Sequence, residues 1–461
     1  MNTLADELKE QEYLGYWWLP VKDGQQQVNR AGVIHFAPNN RAELHLLGSF
    51  EGIPNALNHQ LLRYPVIQGA AHDLKRITLF DCVTFKNNFN LFEPAELADV
   101  RVAFVEGWVG QETYSSKDDI HFLNLETGMY GLAAWHNANA FASQNDLANK
   151  HTELRYDCPK SVELFKDELV EISLVYSWRP AAQQLAQCEG KISHEPRILI
   201  KSLNGKLPYY GEQDSFDFYL GRIRTVLGLM IGLGCPLYDC TGQVQRYESR
   251  KEGCLIPEIV LSRLWRRDIE APQPISPFDV WLPYEYVAGS LKTVVAGFMG
   301  IDKFPAGLAG HIVYMNASRQ VSFTQGVLPE LVYMFEGLHK QFYCEGLNRK
   351  QKENMPVANR FEDEFSRIGD VFPFLDVDAK DKLIRYCTAR RHKYSHANPD
   401  SFQDNISLYI NAIIWMRMFL TAMVLKYCGL PVNALYAALS KNHEYANIAR
   451  NIPLLLQNES Q

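Results

Sequence analysis

The chain has 461 residues, 47% of them hydrophobic and 21% charged, with 46 basic against 53 acidic side chains and a formal net charge of −7. This is a globular composition, which excludes a disordered, collagen-like or coiled-coil chain and leaves room for two or three domains with sizeable cores. The acidic balance argues against a protein that coats nucleic acid and allows only a local basic site.

The first 200 or so residues read as strands. Short runs rich in Val, Ile, Phe, Tyr and Trp recur between turn residues: Tyr13 to Trp18, Val33 to Phe36, Glu43 to Leu47, Lys75 to Phe80, Val102 to Val105 and Glu171 to Tyr176. That spacing, with Asn-Asn, Asp-Gly and Pro punctuation, predicts an antiparallel sandwich-like or barrel-like domain. A helical pattern begins near Asp214 and ends at Gly232 or Gly234, where glycine suits a helix C-cap. The glycine-rich run Gly228 to Gly234 follows that helix, whereas a phosphate-cradling loop follows a strand and opens a helix. The segment Glu270 to Pro277, with three prolines, is the best linker.

Beyond it the period lengthens toward 3.6 residues, with helices expected at about 278–299, 327–346, 360–370, 377–396, 401–428 and 431–448. Gly429-Leu430-Pro431 is a stop and restart. The fold class is therefore α+β and multidomain: a β-rich domain over 1–270 followed by an all-α bundle over 278–461. Ile406 to Tyr427 is apolar enough to suggest a membrane span, but Asn411 and Arg417 sit at its centre. A charge there costs about 2.5–3.5 kcal/mol on insertion scales, so the segment reads as a buried bundle helix and no membrane partner is expected.

Nine cysteines without tight pairing fit free thiols in a reducing cytoplasm, and the acidic N-terminus lacks the basic and apolar runs of a signal peptide. The cytoplasm is the expected location. Cys235, Cys240 and Cys254 offer three thiolates but no fourth ligand at a standard zinc spacing, so neither metal nor cofactor is expected. Tyr16, Trp17 and Trp18 have the residue types for base stacking, yet at strand spacing they read as core.

The chemistry concentrates in Ala389-Arg390-Arg391-His392-Lys393-Tyr394-Ser395-His396-Ala397-Asn398-Pro399. Between Asp381 and Ser395 five basic residues face one acidic residue, reversing the sign of the whole chain. Pro399 disfavours the α conformation at Asn398, so the helix is expected to end near His396. On a helical wheel Arg391 falls within the apolar arc of Leu383, Ile384, Cys387 and Tyr394. A guanidinium on a packing face needs a buried anionic partner or a cleft.

An arginine and a histidine so placed suit phosphodiester chemistry at RNA. The guanidinium can hold a phosphate in a planar two-pronged contact, and the imidazole can take a proton from the ribose 2′-OH or give one to the leaving 5′-oxygen. The same spacing from Arg30 to His35 falls in an expected strand, and Arg385 and His392 are separated by six intervening residues within one helix. Such spacing is common by chance in a chain with 13 histidines.

Arg391 and His396 match the R-x4-H spacing of the HEPN ribonuclease superfamily, with His392 where that family more often has Asn or Asp. The local sequence resembles the Apea-like HEPN branch. The first domain resembles the ApeA N-terminal domain in Gly15-Tyr16-Trp17-Trp18-Leu19-Pro20, Gly32-Val33-Ile34-His35-Phe36 and Leu44-His45-Leu46-Leu47-Gly48-Ser49-Phe50. This resemblance implies a metal-independent endoribonuclease that acts as the toxic arm of abortive-infection defence against phage. It implies a homodimer in which two motifs share one cleft, RNA of the tRNA kind as substrate and a phage-derived trigger at the first domain. Arg391 and His396 would be catalytic, with His392 orienting one of them and Arg390, Lys393, Tyr394 and Asn398 contacting RNA. Two rivals stand beside it: a non-catalytic HEPN-like dimer that binds RNA or protein, and a carbohydrate-acting enzyme that would need paired carboxylates on the β domain.

Overall fold

The computed structural model describes residues 11–458 apart from 22–26, 37–42, 51–60, 89–98, 147–150, 180–192, 246–257, 266–274, 318–325, 396–404 and the single positions 139, 206 and 345. The chain divides into two compact units. The first holds residues 1–129, 160–220 and 236–274; the second holds 130–159, 221–235 and 275–461. The helical unit thus takes in two segments from the part of the sequence read as one N-terminal domain.

The first unit is built on strands β1 (Gln11–Trp18), β2 (Arg30–Phe36), β3 (Glu43–Leu47), β4 (Arg63–Ala71), β5 (Arg76–Asn88) and β6 (Asp99–Ala103). They pair in the order β5-β4-β1-β2-β3-β6, and β6 returns to β5, so six antiparallel strands close a barrel. Closure removes the free edges that an open sheet would expose. Of the two antiparallel forms expected, this is the barrel. Its interior follows the period of two: on β1, Trp17 is fully buried while Leu14 and Tyr16 point outward. Trp17 packs with Ile34, Leu44, Ile67, Ile77, Leu79 and Val102. Gly69 faces the indole, where a Cβ would overlap the ring.

β5 serves two partners on one side. Residues Arg76 to Phe80 pair with β7 (Glu106–Gly110), and Val83 onward pairs with β6. Asp81, between the two stretches, has a φ of 52°, a left-handed kink that redirects the strand. From β7 the sheet continues through β15 (Glu258–Trp265), β14 (Leu237–Gln245), β8 (Phe122–Met129), β13 (Ser193–Ser202), β12 (Val170–Arg179) and β11 (Val162–Lys166). Trp108, Phe122, Tyr209 and Phe216 form an aromatic cluster there, with centroids 5.0–5.7 Å apart. Arg197 is buried among Glu126, Glu195 and Asp239, which supply the anionic partners a buried guanidinium needs.

The second unit opens with the hairpin β9 (Phe141–Asp146) and β10 (His151–Tyr156) and the short helix α1 (Leu132–His136). The helix α2 (Phe216–Ile231), of which residues from Gly221 onward belong to this unit, ends at Gly232, whose φ of 76° suits a residue without Cβ. The amides of Trp281 and Leu282 cap its last carbonyls, so the glycine-rich run is a helix end.

Among the described residues ten α-helices follow: α3 (Tyr284–Val287), α4 (Leu291–Met299), α5 (Lys303–Ala317), α6 (Val327–Tyr343), α7 (Arg349–Asn354), α8 (Val357–Ile368), α9 (Val377–Ser395), α10 (Ile406–Tyr427), α11 (Val432–Leu439) and α12 (His443–Asn458). α10 is the central helix, packed against α4, α5, α6, α8 and α12. It is the one described helix long and apolar enough to cross a membrane, yet 78% of its apolar window is buried within the bundle. Around it, Phe335 stacks on Phe361 at 4.2 Å, and Trp415 and Phe419 complete the aromatic core. Gly429, at φ 103°, stops α10, and the amide of Leu430 reaches back to the carbonyl of Leu425.

The single helix expected at 431–448 is two. Asn442 breaks it by accepting the amides of Glu444 and Tyr445, the role of an N-cap. α5 has no counterpart in the sequence pattern, because Pro305, Gly307 and Gly310 mask its period.

Candidate functional site

α9 carries the basic motif. Asp376 caps its start by accepting the amide of Ala379, and Leu383, Ile384 and Cys387 turn its apolar face inward. Arg391 lies on the margin of that face with 29% of its side chain exposed. The anionic partner is Glu336 of α6, itself 13% exposed: Nε donates to Oε1 at 2.9 Å and Nη2 to Oε2 at 3.3 Å. The guanidinium carbon also lies 4.8 Å from the ring centroid of Tyr333, one turn earlier on α6. Tyr333 and Glu336 share a helix face at i, i+3 and grip the arginine from two directions.

Arg390 lies over Tyr386, 4.9 Å from its centroid, and His392 is exposed. Lys393 and Tyr394 belong to the last turn of α9. His396 and Asn398 lie outside the described residues. The structure therefore brings Arg391 together with Glu336 and Tyr333, neither singled out in the sequence. The signal for them is an acid and an aromatic three apart on a helix otherwise rich in buried apolar residues.

The basic patch is weaker than its residue count. Lys382 is paired with Asp378 at 2.8 Å, and Arg391 with Glu336, so two of the five cations are neutralised by acids outside the stretch 381–395. The matching spacing at Arg30 and His35 falls on β2, where Arg30 donates to the carbonyl of Ser49 and His35 pairs with Glu12. Cys235 and Cys240 are buried free thiols, and Cys254 lies outside the described residues. Arg417 is largely buried in α10; burial lowers its pKa, against the pull of the Glu444 charge.

A second polar cluster joins α6 to α8. His339 approaches Asp363 at 2.8 Å through Nε2, and Arg360 approaches its Nδ1 at 3.2 Å. Cys344 lies 3.7 Å from that same Nδ1. A thiol, an imidazole and a carboxylate in series resemble a nucleophile with its base and orienting acid. Cys344 is fully buried and Nδ1 already accepts from Arg360, so no substrate reaches the sulfur. Nearby on α8, Glu364 is fully buried with neither carboxylate oxygen hydrogen-bonded, and burial pushes its pKa up to about 8. The cluster is structural.

Residues 12–206 match the family model of ApeA N-terminal domain 1. No curated protein and no solved structure matches the chain. The matched segment contains the whole six-stranded barrel but for Gln11, together with β7 through β13. Over residues 12–206 the chain thus matches the ApeA N-terminal domain 1 family, a similarity that supports an ApeA-like protein.

Proposed function

We propose that the protein is a metal-independent endoribonuclease of the HEPN type, the toxic effector of an abortive-infection defence against phage. The ApeA-type N-terminal domain supports the defence role. The observation that carries the nuclease reading is Arg391: a guanidinium near the end of a bundle helix, anchored on Glu336 yet partly open to solvent. Arg391 would bind the scissile phosphate and neutralise the charge that develops on its oxygens. His396 would act as acid or base, with His392 orienting one of them and Arg390, Lys393, Tyr394 and Asn398 contacting the RNA. Attack by the 2′-OH leaves a 2′,3′-cyclic phosphate and a 5′-hydroxyl. The substrate would be a structured RNA of the tRNA kind, cut in a cleft between two copies of the chain and under a phage-derived trigger read by the first domain.

Incubating the purified protein with tRNA in EDTA tests this. Cyclic-phosphate ends that disappear in Arg391→Ala and His396→Ala support it. Ends without cyclic phosphate, or cleavage that survives both substitutions, sink it.

The ion pair itself favours a second reading. Arg391 and Glu336 satisfy each other between α6 and α9, as a purely structural link would. A non-catalytic HEPN-like dimer that binds RNA or a phage ligand predicts RNA retention without turnover.

A further inference from the structure

Arg391 is held along one edge and against one face. Glu336 takes two N–H donors, one from Nε and one from Nη2. Tyr333 lies under the guanidinium plane at 4.8 Å. A guanidinium has five N–H donors. Among the described residues the other three, two on Nη1 and one on Nη2, take no hydrogen bond; Nη1 and Nη2 form the adjoining edge of the fork and suit a second planar contact with two acceptor oxygens.

The burial order gives the arrangement a direction. Glu336 is 13% exposed and Arg391 is 29% exposed, so the carboxylate lies on the protein side of the pair. A carboxylate beneath a guanidinium orients it, whereas one that competed with substrate would have to stand in front of it. Tyr333 is 41% exposed, so its ring forms a lateral wall at the surface.

We infer that Glu336 and Tyr333 are positioning residues for Arg391. They hold the guanidinium so that its outer edge is presented to a phosphate of the RNA backbone, and neither touches the reacting atoms. The inference rests on the reading of Arg391 as the phosphate-binding residue. A free arginine has many rotamers, and those surrendered in the resting protein are not surrendered again when the phosphate arrives. The clamp also keeps the donors aimed where charge develops in the transition state.

The test compares single-turnover cleavage of tRNA and RNA affinity in wild type, Arg391→Ala, Glu336→Gln, Tyr333→Phe and Tyr333→Ala. Glu336→Gln preserves volume but leaves one acceptor oxygen, so the two-pronged contact is lost. The cleavage rate should fall about 10- to 100-fold in Glu336→Gln and in Tyr333→Ala, the cost of a misaimed group. Affinity should change less than the rate, and Tyr333→Phe, which keeps the ring, should retain activity. Combining Glu336→Gln with Arg391→Ala should cost no more than Arg391→Ala alone, because nothing is left to position.

Thermal unfolding separates this role from a structural one, in which the variants lose stability while the folded fraction keeps its rate. If Arg391→Ala is inactive but Glu336→Gln and Tyr333→Ala cut normally, the clamp is wrong and the phosphate role of Arg391 stands. A faster Glu336→Gln overturns the clamp too, since Glu336 is then a competitor. If Arg391→Ala cuts like wild type, the reading of Arg391 falls and the clamp falls with it.

Discussion

Arg360 approaches Nδ1 of His339 at 3.2 Å, and that contact settles the protonation of the imidazole. A guanidinium only donates, so Nδ1 accepts and the proton sits on Nε2, which donates to Asp363 at 2.8 Å. His339 is therefore a buried neutral histidine bridging α6 and α8.

Its pH dependence follows. Burial, with help from Arg360 and Arg367, lowers the pKa of His339 below 6.5, against the pull of Asp363. The unfolded chain then binds more protons than the folded one as pH drops below about 6.5, so this residue's contribution is complete above that pH and declines beneath it. The difference in unfolding free energy between wild type and His339→Gln should shrink from pH 7 to pH 5. A constant difference contradicts the assignment.

Glu364 should act in the opposite sense. Its pKa is pushed up to about 8 by burial, the folded state holds its proton longer, and stability declines as pH rises from about 4.5 through 8. Glu364→Gln removes the ionisable group and should gain on wild type across that window, on the order of a few kcal/mol by pH 8. Denaturant unfolding at pH 5 and pH 8 would show it; equal differences at both values would contradict it.

The barrel depends on one close approach. Gly69 lies against the fully buried Trp17, so Gly69→Val must displace the indole or the strand. Trp17→Ala should destabilise the protein by about 3–5 kcal/mol, as large-to-small changes in a packed core do. Gly69→Val should also be strongly destabilising, the overpacking counterpart. A Tm within a degree of wild type for either variant would refute this packing.

In a cleavage assay the motif residues should separate by role. Loss of the Arg391 guanidinium should cost about 10²- to 10³-fold, the range for a single transition-state donor. Loss of the His396 imidazole should cost about 10²- to 10⁴-fold, the range for general acid–base catalysis. A lysine at 391 should recover little, since its ammonium lacks the planar fork that meets both Glu336 and a phosphate. Full recovery by Arg391→Lys would argue for a simple charge effect.

Much of the fold was legible in the residues. The alternation around Trp17, the long apolar run of α10 and the break at Gly429 to Pro431 are local signals, and each corresponds to an element. α5 escaped because Pro305, Gly307 and Gly310 lower local helix propensity, and packing against α6 and α10 overrides it. The split between α11 and α12 was hidden because Asn442 reads as an ordinary polar residue until its side chain is seen to cap a helix.

The site divides along the same line. That a guanidinium at position 391 falls on a packing face, and so needs an acid, follows from a rotation of 100° per residue along one helix. Which acid meets it does not, because Glu336 is 55 residues away and reaches it only where α6 lies against α9. The sequence by itself determined the order of a strand-rich part and a helical part, since hydrophobic period is a property of neighbouring residues. Only the tertiary structure decided that six strands close into a barrel and that Arg391 is clamped by Glu336 and Tyr333. Both are contacts between distant segments, and their energy exists only once the chain has brought those segments together.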